Sequence, residues 1–237
     1  MKKLYLFGDS FSMMNGGIMA HDSIISKLEN NSHSSLSNEH ILKLVKLKIN
    51  KLIEEKHFDA NILVQLTVPE RLLVVYNDKF ESILSNPKNL EYLNTNEFIK
   101  DNSLFENKIY CSLYPFLGWD NDPLIKNLYS PYCSFIYHNN YYRLLKDLLL
   151  ELKILSNLCK SVGINFEYLF FTNDYDFHLK NDLELKSEHI KFGEHNCIET
   201  YLRQNNKLDH FVSKMDKHLS NIGNEWYLNF LTERYDF

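Results

Sequence analysis

The sequence predicts an α/β protein: a three-layer α/β/α sandwich around a mostly parallel sheet. Three observations carry that expectation. Short apolar runs at Leu4–Phe7, Ile62–Leu66 and Phe166–Phe171 lack polar alternation, as strands covered on both faces do. Long segments with a helical period lie between these runs, and another follows the last. Strand then helix, three times over, is the order that parallel crossover units produce.

Each element has its own justification. The first run stops abruptly at Gly8-Asp9-Ser10, with a second hydroxyl, Ser12, close behind. Ile41, Val45, Ile49, Leu52 and Ile53 then fall on one helical face, with Ser37 or Asn38 placed to cap the N-terminus. The second strand runs out into Thr67. Residues 72–140 break the rhythm: "NKIYCSLYPFLGWDNDPLIKNLYSPYCSFIYHNNYY" is rich in Tyr, Pro and Asn and holds no sustained period. This stretch reads as an aromatic-rich insertion over the carboxyl edge of the sheet, with short helices near Arg71–Leu84. It serves either as a lid or binding wall or as a structurally packed excursion. Leu144, Leu145, Leu148, Leu149, Leu152, Leu155 and Leu158 next make a wide helical stripe, which Gly163 ends as a C-cap. The third strand leads into Asn173. A last helix starts near Ser220 and carries Trp226, Tyr227, Phe230 and Leu231. All 237 residues are expected to form one domain.

Composition narrows the function. The chain is 44% hydrophobic and 24% charged, as soluble globular proteins are. Its formal net charge of -5, with arginine only at Arg71, Arg143, Arg203 and Arg234, gives no basic surface for nucleic acid. The 15 Tyr and 16 Phe partly reflect a bias toward A/T-rich codons. Cys111, Cys133, Cys159 and Cys197 show no CxxC spacing, which disfavours a zinc ribbon or a redox pair, and Cys159 reads as a small core residue. After Met1-Lys2-Lys3 only Leu4 to Phe7 follow before Gly8, too short for a signal peptide. No apolar run approaches membrane-spanning length, so a cytoplasmic location is expected. No cofactor and no metal site are expected. His21, His189 and His195 lack ligand spacing and read as surface histidines. His33 is a candidate for lining the site. Asp174 and Asp176 read as solvated loop residues, and Glu184–Glu188 as an exposed charged face.

In sheets of this class the working residues gather past the carboxyl ends of the strands, where Ser10, Thr67 and Asn173 lie. A serine nucleophile needs a base and a group that orients the base. Asp216 and His218, two residues apart just before the last helix, are suited to those roles. The chain order is then Ser, Asp, His, and there is no G-x-S-x-G elbow, which disfavours an α/β-hydrolase arrangement.

"LYLFGDSFS", followed far downstream by "MDKHLSNIGNEWY", resembles the SGNH or GDSL hydrolase family. The resemblance spreads over nearly the whole chain and implies a flavodoxin-like sandwich with a Ser-His-Asp site for esters, thioesters and O-acyl groups on sugars. It places Ser10 as nucleophile, Asp216 as the orienting acid in a D-x-H form of the last block, and His218 as the base. Ser220 and Gly223 match the way that block runs into its helix. The middle blocks depart from the pattern. "NNSHSSLSNEHI" puts Ser35 where a glycine with an oxyanion-binding N–H normally stands. "QLTVPERLL" puts Thr67 at the glycine and Pro69 at the oxyanion asparagine of the third block. Loss of one such donor costs roughly 100- to 1,000-fold in rate. Thr67, Arg71 and Asn38 are the candidate replacements.

The expectation is therefore a serine esterase acting on a small-molecule or carbohydrate ester, with O-acetyl sugars favoured because Trp119 and the tyrosines of the insertion can stack on sugar rings. The alternative is a sandwich that has lost turnover and serves as a binding or structural module.

Overall fold

A computed structural model describes residues 2–9, 11–12, 26–32, 37–67, 72–76, 109–113, 141–176, 179, 188–214 and 216–236, with the backbone alone at 72–76, 109–113 and 141–142. In chain order the elements are β1 (Lys3–Phe7), β2 (Leu28–Asn30), α1 (Asn38–Glu54), β3 (Ala60–Leu66), β4 (Leu72–Tyr76), β5 (Ile109–Leu113), α2 (Tyr141–Val162), β6 (Asn165–Phe170), α3 (Ile198–Gln204) and α4 (Asn221–Tyr235). Strands β2-β1-β3-β6, in that order, make a four-stranded sheet in which every pairing is parallel. The chain has an α/β fold.

The apolar runs form strands because successive side chains meet apolar partners on both faces. Tyr5, Phe7, Ile62, Val64, Phe166 and Phe170 pack with Ile41, Val45 and Ile49 of α1 and with Leu145, Leu152 and Leu155 of α2. The alternate residues Leu4, Leu6, Leu63 and Leu169 pack with Ile198 and Leu202 of α3 and with Tyr227 and Leu231 of α4. Each wholly buried leucine or isoleucine contributes about 1.5–3 kcal/mol through the water it leaves.

Helix ends follow their local chemistry. Ser37, rather than Asn38, caps α1 by accepting from the His40 N–H at 3.3 Å. Ser220 caps α4 by accepting from Gly223 N–H, also at 3.3 Å. Gly163 closes α2 at φ +87°, a conformation that glycine adopts without strain.

Several sequence expectations are corrected. Leu158 faces outward, 40% exposed, and Cys159 one residue later takes the core position, its thiol pushed up to about 12 by burial. Leu72–Tyr76 is a strand, not part of a short helix, and pairs antiparallel with Ile109–Leu113 in a separate ribbon. The rest of the 72–140 insertion lies outside the described residues. His189 is buried against Phe170, with ring centroids 5.0 Å apart, rather than exposed. Asp176 is not simply solvated: its Oδ2 accepts from Thr200 and, at 3.6 Å, from the Cys197 thiol.

The register aligns the strand ends. Phe7 pairs with Val64, and Leu66 with Phe170. Continuing the first pairing brings Asp9 level with Leu66, so Gly8-Asp9, Thr67 and Thr172-Asn173 emerge together at one edge.

Candidate active site

Past β1 the chain turns sharply, closed by Ser12 N–H donating to the Asp9 carbonyl at 3.1 Å. The Asp9 side chain is wholly buried and faces back into this turn: Oδ1 accepts from Phe11 N–H at 3.1 Å, and Oδ2 accepts from the Thr67 hydroxyl. Ser12 is also wholly buried. Its hydroxyl lies 3.1 Å from the Asp9 carbonyl, to which it can donate, and shares a 2.8 Å hydrogen bond with the Ser32 hydroxyl, which ties the turn to the end of β2. Ser12 is thus a structural hydroxyl. Ser10 itself lies outside the described residues.

The Asp216–His218 loop arrives from the other end of the chain. A Phe211–Leu219 bridge and a 2.9 Å bond from Val212 N–H to the His218 carbonyl close the loop just before α4. Within it the i, i+2 spacing lets one carboxylate oxygen serve twice. Asp216 Oδ1 accepts from His218 N–H at 2.9 Å and lies 2.6 Å from the ring Nδ1. The His218 backbone N–H above all, opposed by desolvation and helped by the ring, holds the Asp216 carboxyl below the ordinary aspartate value. With that carboxylate ionised, Nδ1 carries the ring proton and Nε2 is the basic nitrogen, the tautomer a general base requires. The two side chains are 40% and 44% exposed, so solvent and small molecules reach the pair.

Between the first turn and the last loop lies Phe11. Its ring stacks on Phe171, past the end of β6, with centroids 4.5 Å apart, and the His218 imidazole lies against it at 4.8 Å. Phe11 is the residue after Ser10, so the imidazole of the last loop sits at the turn that follows the first strand.

Asn38 and Thr67 come together as well, in a buried network. Asn38 Oδ1 accepts from Thr67 N–H at 2.9 Å. The Asn38 amide donates to Tyr175 OH at 2.7 Å and toward the Thr67 carbonyl at 3.4 Å, and Tyr175 OH donates to the same carbonyl at 2.5 Å. As oxyanion donors Asn38 and Thr67 would first have to break these bonds. Ser35, Arg71 and His33 lie outside the described residues. Among the described residues, no group of three or more His, Cys, Asp or Glu side chains is placed to hold a metal ion. No helix there is long and apolar enough to cross a membrane.

Sequence reasoning missed three contributors: Asp9 as a brace, Phe11 as the seat of the imidazole, and Tyr175 as the clamp on Thr67. Asp9 and Phe11 flank Ser10 in the quoted motif, so a signal existed; Tyr175 in "TNDYDF" gave none.

Comparison with known proteins finds no match to this chain among protein-family models, curated proteins or solved structures.

Proposed function

We propose that this protein is a serine ester hydrolase of the SGNH or GDSL kind, a single three-layer sandwich domain working in the cytoplasm on an O-acyl group carried by a carbohydrate. The observation that carries the reading is the His218 imidazole, held by Asp216 and resting on Phe11, the residue that follows Ser10 in the chain. In this reading the Ser10 hydroxyl attacks the ester carbonyl carbon while His218 Nε2 takes its proton. Asp216 steadies the imidazolium. The tetrahedral oxyanion is met by the N–H groups of Ser10 and Ser35. Collapse expels the alcohol, which leaves with the proton from His218, and water then repeats the sequence to release the acid.

Asn38, Thr67 and Tyr175 act here as braces for the edge, and Arg71 remains the candidate third donor in place of the missing asparagine.

A second reading, the non-catalytic module, is favoured by two features: Pro69 stands where the oxyanion asparagine belongs, and Ser35 where the oxyanion glycine does. Hydrolysis of p-nitrophenyl acetate by the wild type and by Ser10→Ala separates the two. The esterase reading expects turnover that Ser10→Ala abolishes; equal background rates in both would leave the binding module.

A further inference from the structure

We propose that Glu199 and Lys217 form a positioning pin that sets the Asp216–His218 pair against the sheet edge; this rests on the esterase reading. Glu199 is the second residue of α3, and its side chain is 1% exposed. Its Oε1 accepts from Arg203 Nε at 2.9 Å. Its Oε2 accepts from the backbone N–H of Asn173, just past β6, at 3.0 Å and lies 3.1 Å from Lys217 Nζ. Lys217 Nζ also reaches Asn173 Oδ1 at 3.4 Å.

Lys217 is the residue between Asp216 and His218. The ammonium that answers the buried carboxylate is therefore drawn from the middle of the catalytic loop, although Arg203 on the same helix already pairs with Glu199. A buried carboxylate must be paired and hydrogen-bonded. Recruiting the second cation from this loop fixes the loop to β6 and α3 at once. The Glu199 backbone N–H, donating to the Phe171 carbonyl at 2.9 Å, holds the anchor to the residue that follows β6, whose ring supports Phe11 and so His218. The pin works through His218 and touches no reacting atom.

The test compares Lys217→Met, Lys217→Arg and Arg203→Met in the full chain. Lys217 is one-third exposed, so Lys217→Met is expected to fold. Arg203→Met removes the other cation from Glu199 while leaving Lys217 in place, and the new side chain can still cover the Phe211 ring that the guanidinium overlies at 5.1 Å. Small misplacements of catalytic groups cost up to about 100-fold, so kcat toward p-nitrophenyl acetate is expected to fall about 10- to 100-fold in Lys217→Met with KM nearly unchanged. Lys217→Arg is expected to recover most of that loss, and Arg203→Met to keep the wild-type kcat. NOE contacts between the His218 and Phe11 rings, whose centroids lie 4.8 Å apart, give a readout independent of turnover. The wild type is expected to show them and Lys217→Met to lose them, while the local Asp216–His218 contact persists in both. Wild-type kcat and ring contacts in Lys217→Met, or equal kcat losses in Lys217→Met and Arg203→Met, would overturn the pin. If no variant, wild type included, turns over ester, the esterase reading falls, and the ring contacts alone decide the pin.

Discussion

A Cβ added at Gly8 would stand 2.0 Å from Ser12 Oγ and 3.2 Å from Gln65 Cβ. The Ser12 hydroxyl is held between Asp9 and Ser32, so it has no easy retreat. Gly8→Ala should therefore destabilise the fold by about 1–3 kcal/mol, as overpacking does. Urea unfolding checks it; an unchanged midpoint would mean that the turn yields freely. Asp9 is exacting for a different reason. Its carboxylate is the acceptor for both the Phe11 N–H and the Thr67 hydroxyl, and Asp9→Ala leaves two buried donors without that acceptor. The expected cost is about 1–3 kcal/mol per orphaned donor. Asp9→Asn, which keeps one acceptor oxygen, should cost less; equal losses in the two variants would rule out this bracing role.

Among the elements, the end of α4 is tied to β6 by Glu167. Arg234 donates through both Nε, at 3.1 Å, and Nη2, and Tyr235 OH donates at 2.7 Å. Burial alone would raise the Glu167 carboxyl, but Arg234 and Tyr235 outweigh it and the net shift is downward from 4.5. A carboxylate held low in the folded state stabilises above its unfolded value, and that contribution is lost as pH falls through the folded one. Glu167→Gln should thus cost on the order of 1 kcal/mol near neutral pH, and the deficit should shrink toward about pH 3.5. Urea unfolding at the two pH values measures it, and a deficit independent of pH would contradict the assignment. The start of α4 is equally constrained, because a Cβ at Gly223 would stand 2.1 Å from the His210 carbonyl oxygen. Gly223→Ala should push this helix off the Asp216–His218 loop, costing about 1–3 kcal/mol and, under the proposed esterase function, lowering turnover. Wild-type thermal stability and rate in that variant would contradict the close approach.

The sequence made some elements plain and hid others for physical reasons. β1, β3 and β6 were legible because both faces are buried, so nearly every residue is apolar. β2 was not: it is three residues long at the sheet edge, buries only Leu28 fully, and pairs through its backbone. α3 was hidden by its seven-residue length and by Glu199, a charge at a buried position. Leu158 misled because Cys159 fits the core stripe as well as a leucine at the neighbouring position would.

Across the whole molecule, the same division governs the site. The Asp216–His218 contact is local, spanning two residues, and its spacing could be read directly. The Asn38–Tyr175 and Thr67–Asp9 bonds join residues 137 and 58 positions apart, and no local pattern announces such partners. They exist because the parallel register brings the strand ends to one edge, and there the first turn and the last loop meet at Phe11. The central claim is that an alcohol from that turn is activated by the imidazole from that loop. Fluorophosphonate labelling of the wild type and of His218→Ala, followed by peptide mapping, tests it most directly. One adduct is expected, on Ser10, formed by the wild type and lost in His218→Ala. An unlabelled Ser10, or labelling at the same rate without the imidazole, would contradict it.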